Sequence, residues 1–571
     1  MRAQVRTLVA ALRVPLTMIA LCPVCVPGTV AAVASSDEYD IVIRNGHLLD
    51  GEGNPWSAGD VAILDGRIAR IGRVTGRGRR EIDASGDYVS PGWIDMMDQS
   101  GDVLKLNGLA ENKLREGVTS AIAGEGGAPV PSAQLSDYFA QLEKQGISLN
   151  FGTYYGAAQA RVEVMGDRDG RPTPQQMQRM KDHVAQAMRA GAMGIATALI
   201  YPPDSFQTTD DLIELSRVAA KYGGIYASHM RSESEDLLKA IGESIEIGEK
   251  TGIEVEIFHF KAAYAPGWGK LVPQAGELIS SARARGINIA SDMYVYTAGG
   301  TGLDITAPNW VFAQGYDAGI QKLKEPAVRE RLKKQVAEGS QPGWSNLVLA
   351  SGGWDHIVLA NAFNPKYDLY RYKSLKYIGE QLHQDPADVA WDIVIAARPN
   401  RAMALFFMMS EPDIETALKF PWMSIGSDAA ANEAPGRIDA LGLPHPRAYA
   451  NFPRVIAEYV KKRHVLTLEE AIRKMTSWPA TRMHLSDRGA IRQGLRADLT
   501  IFSYDKLEDR ASYENPTAYP VGIDFVLVNG KVVVDHGQHT GAKPGMVLRG
   551  PGFSAATATS MAASEDPGSR N

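Results

Sequence analysis

Between residues 91 and 485, short apolar runs alternate with amphipathic helical stretches, and that rhythm constrains the fold more than any other feature. The runs include Val118–Ala123, Met193–Ile200, Gly224–His229, Ile253–Phe260, Ile287–Asp292, Asn346–Ala350 and Trp422–Asp428. Intervening pieces such as Ser234–Thr251 and Leu271–Gly286 carry apolar residues at helical spacing. Strands separated by helices demand a parallel sheet covered on both faces, so the chain reads as α/β. Over this length a (β/α)8 TIM-type barrel is favoured over an open sheet. Residues 301–375 break the rhythm and are expected to form an insertion. There is no internal repeat.

Both ends of the chain carry short strand signals. Tyr39–His47 reads as a strand entering a turn, and Val61–Ile68 as two strands around an Asp65-Gly66 hairpin turn. Ala497–Phe502 and Phe525–Val534 repeat the pattern, the second around Asn529-Gly530. One small β-domain closed from both termini, residues 38–90 with 486–550, accounts for all of them together. The alternative is two unrelated hairpins. The tail 551–571 is rich in Ala, Ser, Thr and Gly and is expected to be disordered.

Residues 1–34 read as a secretory signal peptide. Arg2, Arg6 and Arg13 form a positive start without acids, Val14–Val26 is apolar, and Ala32-Val33-Ala34 fits a cleavage site. An uncleaved anchor is the competing reading, and Pro15, Pro23 and Pro27 disfavour a continuous helix there. The expected location is therefore outside the cytoplasm, periplasmic or secreted, with no membrane contact after cleavage. Only two cysteines exist, Cys22 and Cys25, and both fall in this segment. A disulfide scaffold is excluded, and any metal in the mature chain must be held by nitrogen and oxygen ligands. Lys plus Arg number 60 against 66 Asp plus Glu, a net charge of −6, which lacks the basic footprint of a nucleic-acid binder.

In a (β/α)8 barrel the reactive groups sit at the C-terminal ends of strands. Gly224–His229 ends in a histidine, and the next unit does the same at His259. The last run, Met423–Asp428, ends in an aspartate. One such histidine is more often a hydrogen-bonded structural group. Two on successive strands with a matching Asp favour a metal site. Zinc suits an N/O donor set, and a catalytic zinc keeps one position open for water, whose pKa falls to roughly 7. Asp428 could then take the proton of that water and pass it to a leaving amine. Of the other histidines only His356 keeps a weak claim to the site. No Gly-x-Ser-x-Gly elbow is present, and the one Ser-x-x-Lys match, Ser503–Lys506, lies in the small β-domain, far from the barrel mouth.

Several motifs surround these residues. Pro91-Gly92-Trp93-Ile94-Asp95 opens the alternation, followed by Leu199-Ile200-Tyr201-Pro202-Pro203, Tyr226–Arg231 and His259-Phe260-Lys261-Ala262. Tyr294–Gly299, Gly426-Ser427-Asp428, His445-Pro446-Arg447 and the ending Ala497–Leu499 through His539–Ala542 complete the set. Together they resemble the N-acyl-D-amino-acid deacylase (D-aminoacylase) branch of the metal-dependent amidohydrolase superfamily, over nearly all of the mature chain. The resemblance implies a distorted barrel with a small β-sandwich domain built from both termini. It implies that His229 and His259 hold catalytic zinc (Zn2+) and that Asp428 is the general acid/base. It also implies that Tyr201, Lys261 and Tyr294 line the substrate site, with Lys261 and Tyr294 near the α-carboxylate of an N-acyl amino acid.

The chain departs from the family pattern in three places. Met97 and Gln99 stand where a His-x-His pair is usual, so one zinc per chain is expected. Glu125, in the turn Gly124-Glu125-Gly126-Gly127, lies beside the usual cysteine position and is expected as the third ligand. The alternative is a Glu that only orients a ligand. Gly300 stands where a serine is common. Arg437 is placed to read an acidic substrate side chain or to form a loop salt bridge, and Arg231 to support the His229 loop. The implied activity is hydrolysis of an N-acyl-D-amino acid. The competing readings are a dipeptidase or cyclic-amide hydrolase with the same site, and a metal-free exported binding protein.

Overall fold

The computed structural model describes residues 38–341, 344–432 and 444–553. The expected leader, Arg437 and most of the expected tail lie outside them.

Eight parallel barrel strands can be followed in chain order: β1 (Trp93–Asp98), β2 (Val118–Ala123), β3 (Asn150–Thr153, continuing in Tyr155–Gly156), β4 (Gly194–Ala198), β5 (Ile225–His229), β6 (Glu254–Ile257), β7 (Ile289–Met293) and β8 (Met423–Ile425). β1–β2–β3 pair in parallel, as do β3 through β8 in order. Nearly every residue in these strands is buried, as expected of parallel strands covered on both faces. Helices between them present apolar faces to the sheet. Pro174–Ala190 shows how the sequence delimits one: a Thr173/Gln176 capping box begins it and Gly191, at φ 111°, ends it.

Two sequence expectations change here. Asn346–Ala350 is not a strand. The Asn346 side chain accepts from the backbone N–H groups of Val348 and Leu349 and so caps a short helix, Leu347–Ala350. β3 was absent from the sequence reading, because Asn150-Phe151-Gly152-Thr153 offers a single large apolar side chain; pairing with β2 makes it a strand. The excursion between β7 and β8 is also longer than 301–375. It carries its own antiparallel sheet of Gly299–Gly302, Met403–Phe406 and Ile357–Asn361.

The strands from the two termini form one nine-stranded sheet, joined where Tyr88–Pro91 pairs antiparallel with Leu499–Phe502. Ile41, Ile43, Val61 and Ile63 share a buried cluster with Leu499, Ile501 and Leu527. Asp65 and Asn529 both take the left-handed backbone, each followed by a positive-φ glycine, as the two hairpin turns require.

The β8–β1 seam is closed mostly by side chains. Asp98 bridges Ala429, and fully buried Lys113 donates to Asp95 (3.0 Å), Ser427 Oγ (2.6 Å) and the Ala429 carbonyl (2.7 Å). Asp98 lies 3.2 Å from the same ammonium. Burial opposes the Lys113 charge, but Asp95 and Asp98 outweigh it and raise its pKa. Lys113→Met is expected to destabilise the fold by roughly 3–5 kcal/mol, because two carboxylates are left buried without their cation. An unchanged urea midpoint would refute this reading of the seam. Among the described residues no helix is long and apolar enough to cross a membrane.

Candidate active site

The C-terminal ends of the barrel strands open into a cleft of about 580 Å³ lined by Glu125, His229, His259, Asp428, Tyr201 and Tyr294, among others. His229 ends β5; His259 lies two residues past β6 and Asp428 three past β8. His259 and Asp428 adopt φ 35° and 50°, unusual for such residues. Each is held by its backbone N–H: His259 donates to Asp292 Oδ1 at 2.9 Å, and Asp428 to the Met97 carbonyl at 2.8 Å.

Glu125 reaches the histidines from the loop after β2. Gly124 and Gly127 flank it at φ 105° and 110°, and a Cβ on either would meet backbone 2.8 Å away. That turn delivers Glu125 Oε1 to 2.7 Å from His229 Nδ1 and 2.9 Å from His259 Nε2. One donor atom from each of Glu125, His229 and His259 lies within 4.8 Å of the others. Two imidazoles and a carboxylate, with the cleft on the fourth side, fit a catalytic zinc. Burial opposes ionisation of Glu125, but the two imidazoles outweigh it and hold its pKa well below the usual range.

Glu233, missed in the sequence, braces this group. Its Oε1 lies 3.0 Å from His259 Nδ1 and 2.6 Å from Lys261 Nζ. A proton on Nδ1 directed at Glu233 leaves Nε2 free to ligate, the usual carboxylate–histidine support of a metal site. Burial works against the Glu233 charge, but Lys261 and the two histidines drive its pKa strongly down. The only sequence signal was its place four residues after His229.

Lys261, expected near the substrate carboxylate, lines the cleft but donates to Glu233 and to the His259 carbonyl at 3.0 Å, with its Nζ crowded to 2.8 Å from His259 Nδ1. Tyr294 is buried beneath the guanidinium of Arg447, 4.5 Å from its ring centre. Tyr201 shares a 2.7 Å hydrogen bond with Thr301, whose hydroxyl stands next to the serine-less position Gly300. Burial raises both tyrosine pKa values and keeps the phenols neutral.

Of the two residues that depart from the expected His-x-His pair, Met97 is buried in an apolar cluster with Met96, Ile122 and Tyr154. The Gln99 carboxamide donates to Glu125 Oε2 at 2.6 Å and lies 3.3 Å from Asp428 Oδ1. Asp428 Oδ2 pairs with Arg447 Nη2 at 2.8 Å. His445 pins the Arg447 turn: its Nδ1 accepts from the Arg447 N–H at 3.0 Å while Nε2–H donates to Ala298. Burial, with Arg447 adding, pushes the His445 pKa well down and keeps it neutral. His356 sits in an exposed turn outside the cleft, so its claim is withdrawn. Arg231 bonds Glu243 and the carbonyls of Ser205 and Gln207, which ties down the loop after His229.

A model of the Amidohydrolase family matches residues 412–534. The N-acyl-D-glutamate deacylase of Alcaligenes xylosoxydans xylosoxydans is 30% identical over 535 residues, spanning 90% of this chain and 97% of that one. The D-aminoacylase of the same organism is 30% identical over 538 residues, spanning 90% and 98%. The crystal structure of the N-acyl-D-glutamate deacylase of Bordetella bronchiseptica, complexed with zinc and a phosphonate mimic of the tetrahedral intermediate, aligns at a TM-score of 0.74 and 29% identity. The alignment covers 90% of this chain and 100% of that one.

Proposed function

The chain belongs to the amidohydrolase family, in its N-acyl-D-amino-acid deacylase branch, and from that premise we infer zinc-dependent hydrolysis of N-acyl-D-amino acids to a carboxylate and a free D-amino acid. The observation that carries the reading is the meeting of Glu125, His229 and His259 at one point of the cleft wall that Asp428 also lines.

We read one zinc per chain, held by those three residues. Support comes from Met97 and Gln99, which remove the imidazole pair a second ion would need. When bound, zinc supplies a Lewis acid for the acyl oxygen and lowers the pKa of water to about 7. Asp428 handles the proton. Its carboxylate accepts one from the attacking water and returns it to the amide nitrogen as the C–N bond breaks, so that an amine leaves. Gln99 and Arg447 hold the two oxygens of that carboxylate in place. Tyr201 and Tyr294 wall the cleft on either side of the histidines.

The test is turnover by the zinc-loaded chain. kcat/KM for N-acetyl-D-amino acids is expected to exceed that for the L series by at least about 100-fold. A chelator should abolish it, and zinc should restore it. Preference for the L series, or turnover confined to dipeptides or a hydantoin, would overturn the reading.

A further inference from the structure

We propose that Arg401 is the receptor for a second carboxylate of the substrate, carried on the acyl group or on the amino-acid side chain. The proposal rests on the deacylase reading above for the class of ligand, and on the geometry of the cleft for the residue.

Arg401 belongs to the excursion between β7 and β8, two residues ahead of the strand Met403–Phe406. It lines the cleft and also an adjoining cavity of about 440 Å³; among the described residues only Tyr201 shares both walls with it. The guanidinium is held in place from two sides. Nε donates to Asp304 Oδ1 at 2.8 Å, and Cζ lies 5.6 Å from the centre of the Tyr201 ring. Gly302 makes room for it, since a Cβ there would stand 2.2 Å from Nε and 2.3 Å from Cζ. Asp304 takes one of the five N–H bonds, and Nη1 and Nη2 donate to none of the described residues. A planar fork with both outer nitrogens unused matches a carboxylate.

Its position decides which part of the substrate it meets. Among the described residues the cleft wall carries three Lys or Arg side chains: Lys261, Arg401 and Arg447. Lys261 is bonded to the His259 carbonyl and Arg447 to Asp428, so both stand at the reacting bond. Arg401 stands further out, behind the Tyr201 ring, whose centre is 5.4 Å from the His229 ring. β4 and β8 lie opposite each other in the round of eight strands, and Tyr201 and Asp428 each follow their strand by three residues. Asp428 serves the scissile nitrogen. An arm that leaves the scissile group away from Asp428 therefore runs past Tyr201 to the guanidinium. A carboxylate two methylenes out, as in a succinyl group or a glutamate side chain, clears one aromatic ring; an acetyl group does not.

Binding of analogues with no amide to cleave tests this without relying on turnover. Two matched pairs are titrated calorimetrically into the purified zinc-loaded chain. The first is N-methanesulfonyl-D-glutamate with N-methanesulfonyl-D-glutamine. The second is N-(2-carboxyethanesulfonyl)-D-methionine with its 2-carbamoylethanesulfonyl counterpart. Within each pair only the distal carboxylate becomes an amide. The wild type is expected to bind the acid at least about 10-fold more tightly than the amide in at least one pair. The pair that shows it identifies the side chain or the acyl group as the carrier of the anion. In Arg401→Gln that ratio should fall below about 2, and Arg401→Lys, which keeps the charge and loses the fork, should lie between. A guanidinium that only ties down the excursion through Asp304 would weaken acid and amide alike when replaced, and that result would overturn the proposal. So would an unchanged ratio in Arg401→Gln, or no acid preference in either pair for the wild type. If the ratio collapses as expected while the wild type hydrolyses no N-acyl-D-amino acid, the deacylase reading fails and the anion receptor stands.

Discussion

Glu125→Ala is expected to leave the purified chain with zinc below about 0.1 per chain and to cut kcat/KM by about 10³-fold or more. Outer residues that merely orient a ligand typically cost about 10–100-fold in metal affinity, and loss of one of three direct ligands must exceed that. The geometry predicts a direct role, because a single oxygen, Oε1, faces both imidazole nitrogens at 2.7 and 2.9 Å. Glu125→Gln sharpens the test. A neutral amide can still hydrogen-bond an imidazole, so an orienting residue would tolerate it, whereas an anionic ligand would not. Metal analysis of dialysed protein checks both variants. Full zinc occupancy in Glu125→Ala would end the ligand assignment and leave Glu125 as a hydrogen-bond acceptor for the two histidines.

Asp428→Asn is expected to lower kcat by about 10²–10⁴-fold, the usual range for a positioned proton-transfer group, while zinc content and KM change little. Asparagine keeps the shape and tolerates the φ of 50°. It can still accept from Arg447 Nη2, now 2.8 Å from Asp428 Oδ2, but it cannot take up a proton. Steady-state kinetics beside metal analysis decide the outcome. Loss of zinc in this variant would make Asp428 a ligand, and unchanged kcat would move proton transfer to another group.

Much of this site was legible in the residues. Strand-end placement alone selected His229, His259 and Asp428, and the structure brings all three to one cleft. The hairpins at Asp65-Gly66 and Asn529-Gly530 were equally plain, since their turn chemistry is local. β3 was not, because Asn150–Thr153 lacks the apolar pattern and becomes a strand only through its pairing with β2. Asn346–Ala350 misled in the opposite sense: an apolar run that its first residue caps as a helix.

Apolar periodicity and turn residues act over a few positions, so the chain by itself determined the barrel rhythm, the terminal β-domain and the strand ends that carry imidazole and carboxylate. Only the tertiary structure decided what those groups touch. Lys113 meets Ser427 across 314 positions, Gln99 reaches Asp428 across 329, and His259 finds Glu125 across 134. Such pairings depend on barrel closure and on which buried polar atoms are left to satisfy, and no short-range pattern encodes either.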